Sequence, residues 1–206
     1  MASTSGLAKV RKYAWIAVAL AALAGAAVLL GEVQRSAQTG ASPPGAARIG
    51  GPFTLTSHTG ERFSSDSLAG KPYLIFFGFT HCPDICPTTL LEVTNHLAEL
   101  GPKADTLAVL FVTVDPARDT PEHLGRYLSA FDKRIIGLTG SEAETDAVRK
   151  LYRAYAEKVP GKDGDYTMNH TASVYLMDRA GNLASTMVFE ESEAVRRQKI
   201  AKLLER

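Results

Sequence analysis

The chain has 206 residues, 45% of them hydrophobic and 22% charged, which suits one sizeable buried core and argues against disorder. The formal net charge of +1 hides an asymmetry: Lys9, Arg11 and Lys12 precede the first acidic residue, Glu32, so the remainder is slightly acidic. No long basic run and no basic face with interleaved aromatics appears, so nucleic acid is not an expected partner.

Residues 13–31, YAWIAVALAALAGAAVLLG, carry no charge. At about 1.5 Å per residue they cover roughly 28 Å, the thickness of a bilayer core. A cleaved signal peptide is the competing reading. Its small-x-small sites, Ala22-Leu23-Ala24 and Ala24-Gly25-Ala26, fall inside the apolar run, and Ala37-Gln38-Thr39 lies well beyond it. An uncleaved anchor fits better, and no polar face breaks the run as a soluble core helix would require. The basic residues before the span put residues 1–12 in the cytoplasm and the bulk of the chain outside it. Residues 32–50, rich in Gly, Ala, Ser and Pro, read as a flexible tether with a reach on the order of 25 Å. Residues 51–206 are then one globular domain.

Within that domain PFTLTSHTGERFSS reads as a hairpin around His58-Thr59-Gly60. YLIFFGF, 73–79, is a continuous apolar run, the mark of a strand buried on both faces. TTLLEVTNHLAEL places Leu90, Leu91, Val93, Leu97 and Leu100 on roughly one helical face, and Gly101-Pro102 stops it. A second buried strand, 106–114, precedes a helix opened by Thr120-Pro121-Glu122 and running through Phe131. RIIGLTG is a third strand. SEAETDAVRKLYRAYA is a third helix, with Ser141 and Glu144 forming a capping box. TASVYLMD and NLASTMVFE form a hairpin through Arg179-Ala180-Gly181, and ESEAVRRQKIAKLLER is a terminal helix. This alternation predicts an α/β fold with a central mixed sheet flanked by helices.

Both cysteines of the chain, Cys82 and Cys86, fall where the first buried strand gives way to a helix, at the carboxyl end of the sheet. Pro87 suits the first helical turn, where a missing N–H costs nothing. On a helical turn an i,i+4 pair shares one face with Cβ atoms about 5–6 Å apart. That spacing is comfortable for two thiolates on one metal, while a disulfide, with Cβ atoms near ~3.8 Å, requires Pro83-Asp84-Ile85 to adjust. A helix N-terminus favours ionised sulfur in either case. Disulfide, redox couple and metal site all stay open on spacing alone.

Two thiolates rarely complete a metal site, and five histidines are available: His58, His81, His96, His123 and His170. His58 belongs to the predicted turn and should be solvent-exposed. His96 and His123 sit in amphipathic helices as surface or core-edge residues, and His81 should point away from Cys82. His170 differs: it follows the polar loop PGKDGDYTMN and precedes a predicted strand, so it can project onto the same end of the sheet. Asp84 reads as a helix cap or a tuner of the site, and Met168 as packing. Asp115 and Asp119 hold a loop or contact a partner. Phe76, Phe77 and Phe79 are expected in the core and the wall of the site.

FGFTHCPDICPTTL, with VTVDPARDTPEHL at 112–124 and NHTASVYLMDRAGNL at 169–183, resembles the Sco/SenC family of copper-binding proteins, with matches spread over the whole domain. The resemblance implies a thioredoxin-like fold tethered by one N-terminal transmembrane helix and working in assembly of the binuclear copper site of cytochrome c oxidase subunit II. It implies copper, Cu(I) or Cu(II), on Cys82, Cys86 and His170, with Cys82 and Cys86 also able to form a redox disulfide. Asp115 resembles an acidic residue linked in the family to copper transfer, and with Asp84 it is a candidate for the ligands' surroundings or for partner contact. Asn169 departs from the Asp that many relatives carry before the histidine, which removes a negative charge beside the site.

The expected protein is a metallochaperone of the inner membrane rather than an enzyme, its domain in the periplasm. A periplasmic copper donor and a thiol reductase are its expected partners, because copper needs both thiols reduced. Zinc suits Cys/His donors too, but a structural zinc site usually has four protein ligands. The alternative is a thiol-disulfide oxidoreductase reducing the oxidase subunit, against which stands the CxxxC spacing in place of CxxC. A membrane-linked sensor is a third class, for which no output domain is visible.

Overall fold

The structure, a computed structural model, describes residues 48–188 and 190–205, together with the isolated positions Trp15 and Gly25. The predicted anchor lies outside the described residues apart from those two positions, as does nearly all of the tether. Among the described residues no helix is long and apolar enough to cross a membrane.

The domain is built on a seven-stranded mixed sheet in the order β2-β1-β5-β4-β3-β8-β9. Its strands are β1 (Thr54–Ser57), β2 (Arg62–Ser64), β3 (Tyr73–Gly78), β4 (Ala108–Thr113), β5 (Ile135–Thr139), β8 (Val174–Met177) and β9 (Leu183–Met187). The central three, β3, β4 and β5, run parallel, and β1, β8 and β9 join antiparallel. Helices α1 (Ile85–Leu100), α2 (Pro121–Leu128), α3 (Glu142–Leu151) and α4 (Glu193–Leu204) complete the main body.

Period-2 alternation along β3 divides its side chains between two cores. Leu74 and Phe76 join Leu90, Val93 and Leu97 of α1, Leu124 and Leu128 of α2, and Ile200 and Leu203 of α4. Tyr73, Ile75 and Phe77 face the other way, against Leu55, Val148 and Tyr152. A strand covered on both faces must be apolar throughout, which is why YLIFFG reads as an unbroken run.

The predicted capping box is present: Ser141 and Glu144 each bond the other's backbone at the start of α3. The helix itself stops at Leu151, five residues before the sequence pattern suggests. Tyr152 is fully buried and hydrogen-bonds the Tyr73 hydroxyl at 2.9 Å, and Arg153 turns the chain at φ 53°. Arg149 donates to the Ala154 carbonyl at 2.7 Å, closing the turn. Tertiary burial of one aromatic ring outweighs helix propensity here.

Two further expectations need correction. The segment read as a polar loop is a two-stranded ribbon separate from the main sheet, β6 (Ala156–Pro160) paired antiparallel with β7 (Tyr166–His170). His58, expected in solvent, is half-buried, and its Nδ1 accepts the Gly137 amide of β5 at 3.1 Å, supplying one of that strand's hydrogen bonds.

Candidate metal centre

β3 delivers the chain to the site and α1 carries it away. Gly78 ends the strand with no side chain for a physical reason: a Cβ there would sit 2.6 Å from the Phe111 ring and 2.8 Å from Cys86 Sγ. The vacant space is where the Cys86 sulfur packs, fully buried against the sheet. α1 begins at Ile85, with Pro87 in its first turn, and the Cys86 amide donates to Cys82 Sγ at 3.4 Å. Cys82 is half-buried, and both cysteines are free thiols.

Asp84 occupies the N-cap position without making a side-chain cap bond; its carboxylate accepts from the Thr88 hydroxyl at 3.4 Å. The cap reading therefore holds for its position and not for its hydrogen bonding.

The third donor arrives from the ribbon. His170 is the last residue of β7, and its Nε2 stands 3.6 Å from Cys86 Sγ. Its Nδ1 faces the Thr171 carbonyl at 2.9 Å. A carbonyl only accepts, so Nδ1 carries the proton and the Nε2 lone pair is turned toward the sulfurs. The Phe79 ring meets the imidazole edge-on at 5.6 Å and Phe76 lies at 6.3 Å, so these two form the wall, while Phe77 belongs to the opposite core. One donor atom each from Cys82, Cys86 and His170 lies within 4.8 Å of the others. A cavity of about 250 Å³ opens onto this corner, lined in part by Cys82, Asp84, Met168, Asn169 and His170.

The two thiols are unequal. A hydrogen bond from the Cys86 thiol and the amides at the start of α1 hold the Cys82 thiol well below its ordinary range despite partial burial. The bond shared with Cys82 and burial push Cys86 up. The pair therefore carries its first negative charge on the more accessible sulfur, Cys82.

Asp115 and Asp119 are both buried beside this corner. Asp119 accepts from the Thr80 amide at 3.1 Å and the Thr80 and Thr113 hydroxyls at 2.6 Å, tying the cysteine loop to β4. Asp115 accepts from the Arg118 guanidinium and, at 2.8 Å, from the Tyr166 hydroxyl. Arg118 in turn lies 3.7 Å from the Tyr166 ring centre and donates to the Tyr166 carbonyl at 3.0 Å. Asp115 thus holds the ribbon that bears His170. The roles of Arg118 and Tyr166 were missed from sequence, because their 48-residue separation carries no local pattern. His81 points away from the thiols, stacked on His123, and His96 is buried at the edge of α1.

Known proteins resemble this chain along most of its length. The family model described as SCO1/SenC matches residues 41–205. The human mitochondrial SCO1 homolog is 42% identical over 137 residues, covering 65% of this chain and 45% of that protein. A SCO2-like protein of Rickettsia prowazekii is 42% identical over 136 residues, covering 65% of this chain and 66% of its own length. The chain thus matches less than half of the human relative. Among solved structures, copper-bound ScoI of Bradyrhizobium japonicum superposes with a TM-score of 0.70 at 48% identity, covering 75% of this chain and 99% of that one. Copper-bound yeast Sco1 does so with a TM-score of 0.70 at 38% identity, covering 77% and 89%. A family match along most of the chain, on a thioredoxin-like mixed sheet with a CxxxC loop at its carboxyl end, places this protein in the SCO1/SenC family.

Proposed function

We propose that this protein is a membrane-anchored copper metallochaperone that holds copper on Cys82, Cys86 and His170 and supports assembly of the binuclear copper site of cytochrome c oxidase, through its subunit II. The observation that carries this reading is the approach of His170 Nε2 to within 3.6 Å of Cys86 Sγ. Two soft sulfurs and one imidazole suit trigonal Cu(I), and an added oxygen or water suits tetragonal Cu(II). Three protein donors leave a position open, which favours exchange over permanent retention. Copper-bound relatives of the same fold support the choice of metal. Residues 1–12 lie in the cytoplasm, 13–31 span the inner membrane, 32–50 form the tether and 51–206 the periplasmic domain, which keeps the cargo near a membrane-bound acceptor. A Cys82–Cys86 disulfide is the metal-free oxidised state; a periplasmic dithiol must supply two electrons and two protons to open it before a copper donor can load the site.

A second reading, thiol-disulfide oxidoreductase, is favoured by one observation, the unequal pair of an accessible low-pKa Cys82 beside a buried Cys86. Copper titration of the reduced full chain, followed by thiolate-to-Cu(II) charge-transfer absorption and repeated on His170→Ala, separates the two. The chaperone predicts one equivalent of copper that carries thiolate charge transfer, and the loss of that absorption in the variant. A chain that binds copper equally well without His170, or that binds none, ends the proposal; thiol exchange unaffected by His170→Ala then supports the reductase.

A further inference from the structure

A second group of donors sits one residue upstream of Cys82. His81, Asp119 and His123 each bring one ligating atom within 4.8 Å of the others. They come from three segments: the β3–α1 loop, the β4–α2 loop and the first turn of α2. The Thr120 hydroxyl caps that turn by accepting the His123 amide, with Pro121 beside it. The two imidazoles lie nearly parallel, 12° apart with centres 5.4 Å from each other.

The hydrogen bonds determine which atoms are free. The Thr80 hydroxyl spends its proton on Asp119 Oδ1, so at 3.1 Å from His81 Nδ1 it can only accept. His81 Nδ1 is therefore the protonated nitrogen and Nε2 keeps its lone pair. Asp119 Oδ2 takes two donors and Oδ1 takes one, leaving a lone pair on Oδ1. His123 Nδ1 receives only a long 3.4 Å bond from Arg126, an exposed side chain able to swing aside.

Two imidazoles and a carboxylate oxygen form an N2O set, harder than the sulfur-rich centre next to it. Such a set suits Zn(II), Ni(II) or Cu(II), with Cu(II) bound tightest by the usual order of divalent ions. Donors on one ion stand at most about 4 Å apart, twice a metal–nitrogen bond of ~2.0–2.1 Å. The donors of the present cluster must draw together to share one ion, and the exposed His81 ring is free to supply that movement.

We propose that His81, Asp119 and His123 form a second cation site that takes a borderline divalent transition-metal ion, Cu(II) foremost, beside the thiol pair. The site does not depend on the proposed copper chemistry of Cys82, Cys86 and His170, and its test removes those sulfurs.

The full-length Cys82→Ser/Cys86→Ser variant is titrated with Cu(II) and followed by electron paramagnetic resonance and visible absorption. One equivalent should bind with nitrogen hyperfine splitting and without thiolate charge transfer. Adding His81→Ala should weaken binding at least tenfold, and His123→Ala likewise. Arg126→Ala should strengthen it about two- to fivefold by removing a competing donor and a positive charge. His81 is exposed, so its replacement leaves folding intact and a loss there reports ligation. No bound equivalent in the double-serine variant, or binding that survives both histidine substitutions, overturns the proposal.

Discussion

Cys86 and His170 meet across 3.6 Å but belong to regions built in opposite ways. Cys86 is fully buried against Gly78, at the joint of the central strand β3 and α1. His170 ends a two-stranded ribbon whose first strand is exposed along nearly its whole length. The ribbon is held to the main body by a polar clasp of Asp115, Arg118 and Tyr166, and its open end is closed by Thr171 and Tyr155, whose backbones and Thr171 hydroxyl bond at 2.9–3.0 Å. The sulfur leg is packed into the core, whereas the nitrogen leg rests on these hydrogen bonds, the Phe76 and Phe79 rings and the packing of Met168. For the proposed role of accepting and releasing copper, a leg on a separate ribbon is an advantage, since opening the ribbon leaves the sheet intact.

This contrast can be broken at several points. Phe77→Ala in the rigid half should cost about 3–5 kcal/mol, read as a lower midpoint of urea unfolding. The inequality of the thiols should appear almost as strongly. Because the Cys82 pKa is lowered, its thiolate persists as pH falls from 8 to 5, and its iodoacetamide rate should stay nearly flat. An ordinary thiol of pKa ~8.5 would slow by roughly three orders of magnitude over that range. Modification of Cys86 at a comparable rate, mapped by peptide mass spectrometry, would contradict the assignment of charge to Cys82.

His170→Ala should lower copper affinity by at least ~100-fold, measured by competition with a Cu(I) chelator, while shifting the unfolding midpoint little. An equal loss of stability would show that the ribbon is part of the core after all. Gly78→Ala inserts a methyl into occupied space and should cost ~1–3 kcal/mol, with a matching drop in copper affinity as the Cys86 sulfur is displaced. The smallest effect is expected for Tyr166→Phe, which removes one hydroxyl bond to Asp115 and should cost about 1 kcal/mol. Its signature is faster amide exchange confined to β6 and β7; acceleration throughout the sheet would mean that the two halves are not separable.

Most of the main body was legible from sequence because burial and period coincide there. β3, β4 and β5 are apolar runs, and the Ser141–Glu144 capping box marks the start of α3 locally. The ribbon was not legible: AEKVP is exposed along nearly its whole length, and the half-buried alternation of Tyr166, Met168 and His170 in YTMNH is too short to stand out beside a polar loop. The end of α3 was misplaced because Tyr152 is buried in a core assembled from distant strands.

The candidate centre divides in the same way. That Cys82 and Cys86 share a helix start four residues apart follows from local chain geometry, which spacing and Pro87 already express. Its place between a polar loop and a predicted strand made His170 a candidate, the resemblance of NHTASVYLMDRAGNL implied its role as a ligand, and the sequence went no further. Its distance from Cys86, 84 residues away in the chain, depends on a ribbon clasped through Asp115, Arg118 and Tyr166. The same holds for the meeting of His81, Asp119 and His123. Local pattern encodes contacts within a turn or a strand; contacts between segments arise only when the whole chain has paid the entropy of bringing them together.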